Sequence, residues 1–196
     1  YKAGKKEGAA TYYNINGILK TTTNFKNDLQ DGKQVYYHTN GKTESVVNYQ
    51  KDMPDGEYNE YFDNGKLKIN GNYLDWKKTG IWNTYFISGK LSYVENYLKG
   101  DLDGDWISYY ENGKTESRRT YQKGDENGKK QDFDEDGIVF SETIFEKGRL
   151  RDIKFFDKKG TVISNITSRK GYADISFYGP DGVKSSQGYY SKDGYV

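Results

Sequence analysis

Cysteine is absent from this sequence of 196 residues, which excludes disulfides, thiol nucleophiles and thiolate-bound zinc and is compatible with an oxidising or a reducing compartment. Histidine occurs once, at His38. Neither a histidine metal cluster nor a Ser-His or Cys-His nucleophile can be assembled from it. No sign of charge dominates, since 30 Lys and Arg are interleaved with 29 Asp and Glu for a net of +1. Such a chain has no field to draw in nucleic acid or an anionic surface. Apolar runs are short, none approaching the roughly 20 residues of a membrane-spanning helix, and no signal-like segment opens the chain. The start at Tyr1 without Met, together with the missing Cys, tilts the expected compartment toward export, in the periplasm or at a cell surface. Hydrophobic residues make up 33% and charged residues 30%, so a thick aliphatic core is not expected.

What the sequence has is aromatics, with 20 Tyr, 9 Phe and 3 Trp against 2 Pro, a composition that argues against disorder. They recur at a fixed period. Glycines fall at Gly8, Gly32, Gly56, Gly80, Gly104 and Gly128, each 24 residues after the last, and a second set follows nine residues later at Gly17, Gly41, Gly65, Gly89, Gly113 and Gly137. An aromatic stands five residues into every unit (Tyr13, Tyr37, Tyr61, Tyr85, Tyr109, Phe133) and another seventeen in (Phe25, Tyr49, Tyr73, Tyr97, Tyr121, Phe145). The pattern loosens but continues through Gly160 and Gly182, each with an aromatic four residues earlier, Phe156 and Tyr178. About eight units result, and tandem units of this length cannot bury a face alone, so neighbours must stack.

In four units the second glycine follows Asn (Asn16, Asn40, Asn64, Asn112), the strongest short-range signal for a hairpin closed by a two-residue type I′ turn. The first glycine then marks a looser connection to the next hairpin. The expected fold class is all-β: an elongated repeat protein of tandem antiparallel hairpins in a single extended sheet, twisted or curled. Residues 1–150 form six regular repeats and 151–196 form degenerate repeats that cap the array, all in one continuous domain. A lone hairpin is marginal in water, and each cross-strand aromatic pair adds only about 0.2–1 kcal/mol, so repetition is itself the stabilising device.

With two-residue turns, alternation along each strand places Tyr58, Phe62, Leu67, Ile69 and Tyr73 on one face, continued by Trp82, Phe86, Leu91, Tyr93 and Tyr97 and then by Trp106, Tyr110 and Tyr121. The opposite face receives the column Tyr37, Tyr61, Tyr85 and Tyr109 among Lys66, Lys68, Lys90 and Lys114. Two readings of the aromatic face stay open: its rings hold the sheet together, or Tyr58, Phe62, Trp82, Phe86, Trp106 and Tyr110 meet a partner, as Tyr and Trp do at interface hot spots.

The phrase G-x-W-x-x-Y-[YF]-x-x-G-K-[LT], at Gly80 to Leu91 and again at Gly104 to Thr115, resembles the bacterial variant of the MORN repeat. The resemblance covers residues 4 to about 150 well and the rest weakly. It implies a tandem-hairpin fold and a role in protein contact or scaffolding. Proteins with this repeat are often labelled antitoxins of YwqK type, which implies a protein partner.

No catalytic, cofactor or metal constellation stands out from the repeat. The stretch DFDEDG places Asp132, Asp134 and Asp136 before Gly137 like the opening of a calcium loop, but Thr143 occupies the place where the loop requires a glutamate. The function expected is a non-enzymatic scaffold or protein-binding module. The alternative is a cell-wall or glycan-binding module of an exported bacterial protein. The chain is expected as a monomer or as an oligomer paired through its sheet edges.

Overall fold

The computed structural model describes residues 1–168, 172–191 and 194–195. The fold is all-β, with no helix among the described residues, and its first seventeen strands belong to one open antiparallel sheet. The chain divides into two compact units, the first made of residues 1–91 and 96–101 and the second of residues 92–95 and 102–196. In the first unit lie β1 (Gly8–Tyr13), β2 (Leu19–Lys26), β3 (Leu29–Gln30), β4 (Gly32–Tyr37), β5 (Thr43–Gln50), β6 (Met53–Tyr61), β7 (Leu67–Leu74) and β8 (Lys77–Tyr85), while β9 (Leu91–Leu98) contributes residues to both units. Next come β10 (Asp101–Leu102) and, in the second unit, β11 (Gly104–Tyr109), β12 (Thr115–Gln122), β13 (Asp125–Glu126), β14 (Gly128–Phe133), β15 (Val139–Glu146), β16 (Arg149–Phe156) and β17 (Val162–Thr167). A separate three-stranded sheet closes the chain with β18 (Ala173–Tyr178), β19 (Lys184–Ser191) and β20 (Gly194–Tyr195).

The sequence pattern locates the hairpins, but the structure exchanges the expected roles of their two connections. At the Asn-Gly turns the glycine alone is left-handed: Gly65 has φ +91° and Asn64 does not share it. Phe62 N–H donates to the Lys66 carbonyl and Gly65 N–H to the Phe62 carbonyl, both at 2.8 Å. This is a three-residue loop, a type I turn followed by a left-handed glycine. The two-residue type I′ turns stand instead at the connections between units, where both central residues have positive φ: Asn27 and Asp28, Lys51 and Asp52, Asp75 and Trp76, Lys99 and Gly100, Lys123 and Gly124, Lys147 and Gly148. In units such as those beginning at Gly32, Gly56, Gly80 and Gly128 the first glycine lies within a bulge that follows. Opposite β5, Tyr49 pairs with Pro54 but Val47 with Tyr58, so β6 carries two extra residues around Gly56, whose φ is +97°.

The longer turn and the bulges also correct the expected faces. Glu60 pairs with Ile69 but Tyr61 with Leu67, leaving Lys68 as the extra residue. Leu67 therefore sits with the Tyr61 column rather than with Tyr58. Lys68, expected on the opposite face, forms an ion pair with Glu60 at 2.6 Å and carries its ammonium over the Phe62 ring.

Beyond the sixth repeat the period shortens because a bulge does. Ile144 pairs with Asp152 and Phe145 with Leu150, so β16 carries one extra residue in place of two. Here the second unit gathers its aliphatic core: Leu150, Ile153 and Phe155 of β16 meet Ala173 and Ile175 of β18, with Phe177, Tyr178 and Tyr190 against them.

Candidate interaction surface

The Asn-Gly-Lys triplets hold the three-residue turns to one another. Asn40 Oδ1 accepts the Lys42 N–H at 3.0 Å, closing its own turn, while its Nδ2 donates to the Asp63 carbonyl of the next turn at 2.8 Å. Lys42 Nζ donates to the Asn64 carbonyl, and Lys66 Nζ to that of Ser88. In the second unit Asn112 repeats the device, bonding Lys114 N–H and the Glu135 carbonyl. At two of the turns the side chain that opens the turn joins in: Tyr110 Oη donates to the Phe133 carbonyl at 2.6 Å and His38 Nε2–H to that of Tyr61 at 2.9 Å. His38 is thus an element of the turn ladder. Sequence reasoning took Asn for its left-handed tolerance and missed the ladder, although the repeated Asn-Gly-Lys was its signal.

Within the first unit the aromatic face closes on itself around Trp82, which is 3% exposed. Its indole stacks on Tyr58 at 5.4 Å between ring centroids and meets Tyr73 and Tyr97 edge-on at 5.0 and 6.3 Å. The Lys78 ammonium lies 4.3 Å from the indole centroid, and the indole N–H donates to the Asn72 carbonyl. The seat is made by Gly71, where a Cβ would lie 2.2 Å from the indole Cδ2. Burial, then the Glu60 carboxylate that accepts its hydroxyl at 3.0 Å, holds the Tyr58 phenol well above its usual pKa. Phe62 and Phe86, both half-buried, open their respective three-residue turns.

One period on, the second unit treats the same face differently. Glu95 occupies the place of Gly71, and Trp106 is only half-buried. Tyr93 stacks on Trp106 at 6.0 Å, and the Arg119 guanidinium lies 4.6 Å from the ring centroid. Arg119 is steadied by Glu126 at 3.4 Å, a carboxylate that also accepts the Tyr121 hydroxyl. A groove of about 230 Å³ runs beside them, lined by Trp106, Tyr110, Glu116, Arg119, Asp132 and Phe140 among others. Tyr110 is half-buried, and burial followed by the carboxylates of Glu116 and Glu135 raises its phenol pKa.

The acidic turn is engaged internally. Asp134 Oδ1 accepts the N–H groups of Asp136 and Ile138, and Asp132 accepts the hydroxyls of Ser117 and Ser141. No group of three His, Cys, Asp or Glu side chains is placed to hold a metal ion among the described residues. No helix among the described residues is long and apolar enough to cross a membrane.

Three stretches of the chain, residues 30–51, 54–75 and 102–123, match the family model of the MORN repeat variant. Each begins at or near a type I′ connection and contains one three-residue Asn-Gly turn. No curated protein matches the chain.

Proposed function

We propose that this chain is a non-catalytic scaffold that binds a partner protein, with the open aromatic face around Trp106 and Tyr110 as its contact. MORN repeats are generally modules for binding or scaffolding, and the resemblance noted in the sequence extends the reading to an antitoxin-like role in a bacterium, with a toxin protein as partner. The observation that carries the proposal is the arrangement of Tyr93, Trp106 and Arg119, in which two rings and a guanidinium are stacked, held by Glu126 and left half open beside a groove. Trp, Tyr and Arg in a preorganised cluster are the side chains that dominate protein interfaces. In the first unit the half-buried members of the same set are Tyr58, Phe62 and Phe86, with Trp82 stacked under Tyr58.

The test is affinity capture from the source cell with the wild-type chain and with Trp106→Ala, followed by titration of the captured protein. A single partner whose affinity falls at least about ten-fold in the variant, the threshold of a strong interface residue, is expected. Equal affinity for both chains would remove the Trp106 face from the proposal. Retardation by a polysaccharide with loss of Trp106 fluorescence would favour the glycan-binding alternative.

A further inference from the structure

Trp76 occupies the second place of a type I′ turn, with φ +68°, and is the one aromatic residue with positive φ among the described residues. At the corresponding turns this place holds Asp28, Asp52, Gly100, Gly124 and Gly148. A bulky side chain in the left-handed region is strained, and an observed outlier of this kind points toward function. The two aspartates have a local role, since Asp28 accepts the Lys6 N–H and Asp52 the Gln30 N–H. The next position in that series is Pro54, which has no N–H to offer, and there Trp76 donates its own backbone N–H to the Pro54 carbonyl at 3.2 Å. Pro54 explains why aspartate is dispensable at position 76. It gives no local reason for tryptophan, whose side chain is 59% exposed.

Trp76 does not stand alone. The residues that flank the type I′ turns of the first unit include Leu29, Met53, Leu74 and Leu98, all exposed, the last two to 56%. Lys26 pairs with Leu29, Gln50 with Met53 and Leu74 with Lys77, one place beyond Phe25, Tyr49 and Tyr73, which puts this row on the face away from Trp82. In the second unit the same places hold Gln122 and Asp125, Glu146 and Arg149. Among the described residues an apolar row at these places is thus found in the first unit, on a backbone that at Gln122, Asp125, Glu146 and Arg149 carries polar residues equally well.

We propose that this row is the contact between two copies of the chain, related by a two-fold axis with their type I′ edges side by side. Its charges are balanced, one lysine and one aspartate at each turn: Lys26 with Asp28, Lys51 with Asp52, Lys77 with Asp75 and Lys99 with Asp101. Such a row complements itself and favours neither an acidic nor a basic partner. One apolar residue flanks each of these type I′ turns, on either the strand that enters or the strand that leaves, and the turns recur once per two strands, about 9.6 Å. A second copy has that same spacing, so the rows stay in step from Leu29 to Leu98. This contact is separate from the face around Trp106, and neither proposal rests on the other.

Sedimentation equilibrium of the wild-type chain and of Trp76→Gly tests it. Glycine is native to this turn place at Gly100, Gly124 and Gly148, so the variant keeps the fold, as circular dichroism will verify. A monomer–dimer equilibrium whose dissociation constant rises at least about ten-fold in Trp76→Gly supports the proposal. The chain has no cysteine, so Leu74→Cys gives a clean second readout: it should form a disulfide-linked dimer under oxidation, and Ile144→Cys in the second unit should not. A chain that stays monomeric at every concentration, or a dimer indifferent to Trp76→Gly, overturns the proposal. So does a blue shift of Trp76 emission on phosphatidylcholine and phosphatidylglycerol vesicles without self-association.

Discussion

Two tryptophans one period apart divide the molecule more sharply than its repeats unite it. Trp82 in the first unit lies over a glycine and is enclosed by tyrosines; Trp106 in the second faces a strand bearing Glu95 and is left half open under an arginine. The backbone is the same hairpin in both places, and among the side chains that differ is the one facing the indole, absent at Gly71 and a glutamate at Glu95. The two units also draw stability from different materials. The first relies on half-buried rings around Trp82 and on an interior in which Thr21, Thr23, Gln34 and Val47 are buried, whereas the second adds the hydrophobic cluster of Leu150, Ile153, Phe155 and Ile175.

The largest effect is expected where the second unit departs furthest from the repeat. Phe155 meets Phe177 edge-on at 6.0 Å and Tyr178 at 5.4 Å beneath β18. Phe155→Ala should cost about 3–4 kcal/mol in chemical denaturation, as for other buried phenylalanines, and the loss should appear in hydrogen exchange of β15, β16 and β18 while the strands around Trp82 keep their protection.

The comparison of the tryptophans is broken by Gly71→Ala. A Cβ there cannot coexist with the indole at 2.2 Å, and overpacking of this kind costs about 1–3 kcal/mol. Trp82 emission should shift to the red and become accessible to acrylamide. Unchanged emission would mean that the tyrosines, not the glycine, define the seat.

How much of this was legible in the sequence depends on which residues carried it. The hairpins were legible because the 24-residue period of Gly and Tyr reports stacking directly. The connection types were not. Asn-Gly is the signature of a type I′ turn, but here it sits in three-residue loops, which at Asn40 and Lys42 also carry bonds to Asp63 and Asn64, and pairs such as Lys51-Asp52 and Asp75-Trp76, which carry no turn signature, adopt the left-handed pair of angles. Counting outward from the wrong turn then moved Leu67 and Lys68 to the wrong faces. Of the six aromatics singled out for contact, sequence alone could not separate Trp82 from Trp106, because the distinction rests on Gly71 and Glu95 in the neighbouring strand. The strain at Trp76 was not legible, since it is a property of φ.

The turn ladder is the feature both units share, and substitutions at Asn40 measure it. Asn40→Ala removes an acceptor for Lys42 N–H and a donor to the Asp63 carbonyl, an exposed pair of bonds whose loss should cost about 1 kcal/mol. Asn40→Asp retains the acceptor and replaces the donor with a carboxylate facing a carbonyl. If the ladder matters, the aspartate variant should be no more stable than alanine; if only closure of the local turn matters, it should match the wild type.

The smallest effect near neutral pH, and the one that grows with alkali, comes from the tyrosines. Tyr49, Tyr58 and Tyr73 of the first unit all have phenol pKa values raised in the fold, by burial foremost, with Tyr36 adding to Tyr49 and Glu60 to Tyr58. A raised folded-state pKa means that the folded chain holds its proton more tightly than the unfolded chain does. The corresponding stability is therefore complete below the unfolded value near 10 and drains away as pH rises from there through the folded values. Denaturation midpoints should be flat up to about pH 9.5 and fall beyond it, and Tyr58→Phe should make that fall shallower while sacrificing the bond to Glu60. Absorbance at the phenolate band during the titration separates ionisation in the folded state from ionisation after unfolding: a wild-type chain whose tyrosines all titrate near 10 without unfolding would show that the rings around Trp82 are wet.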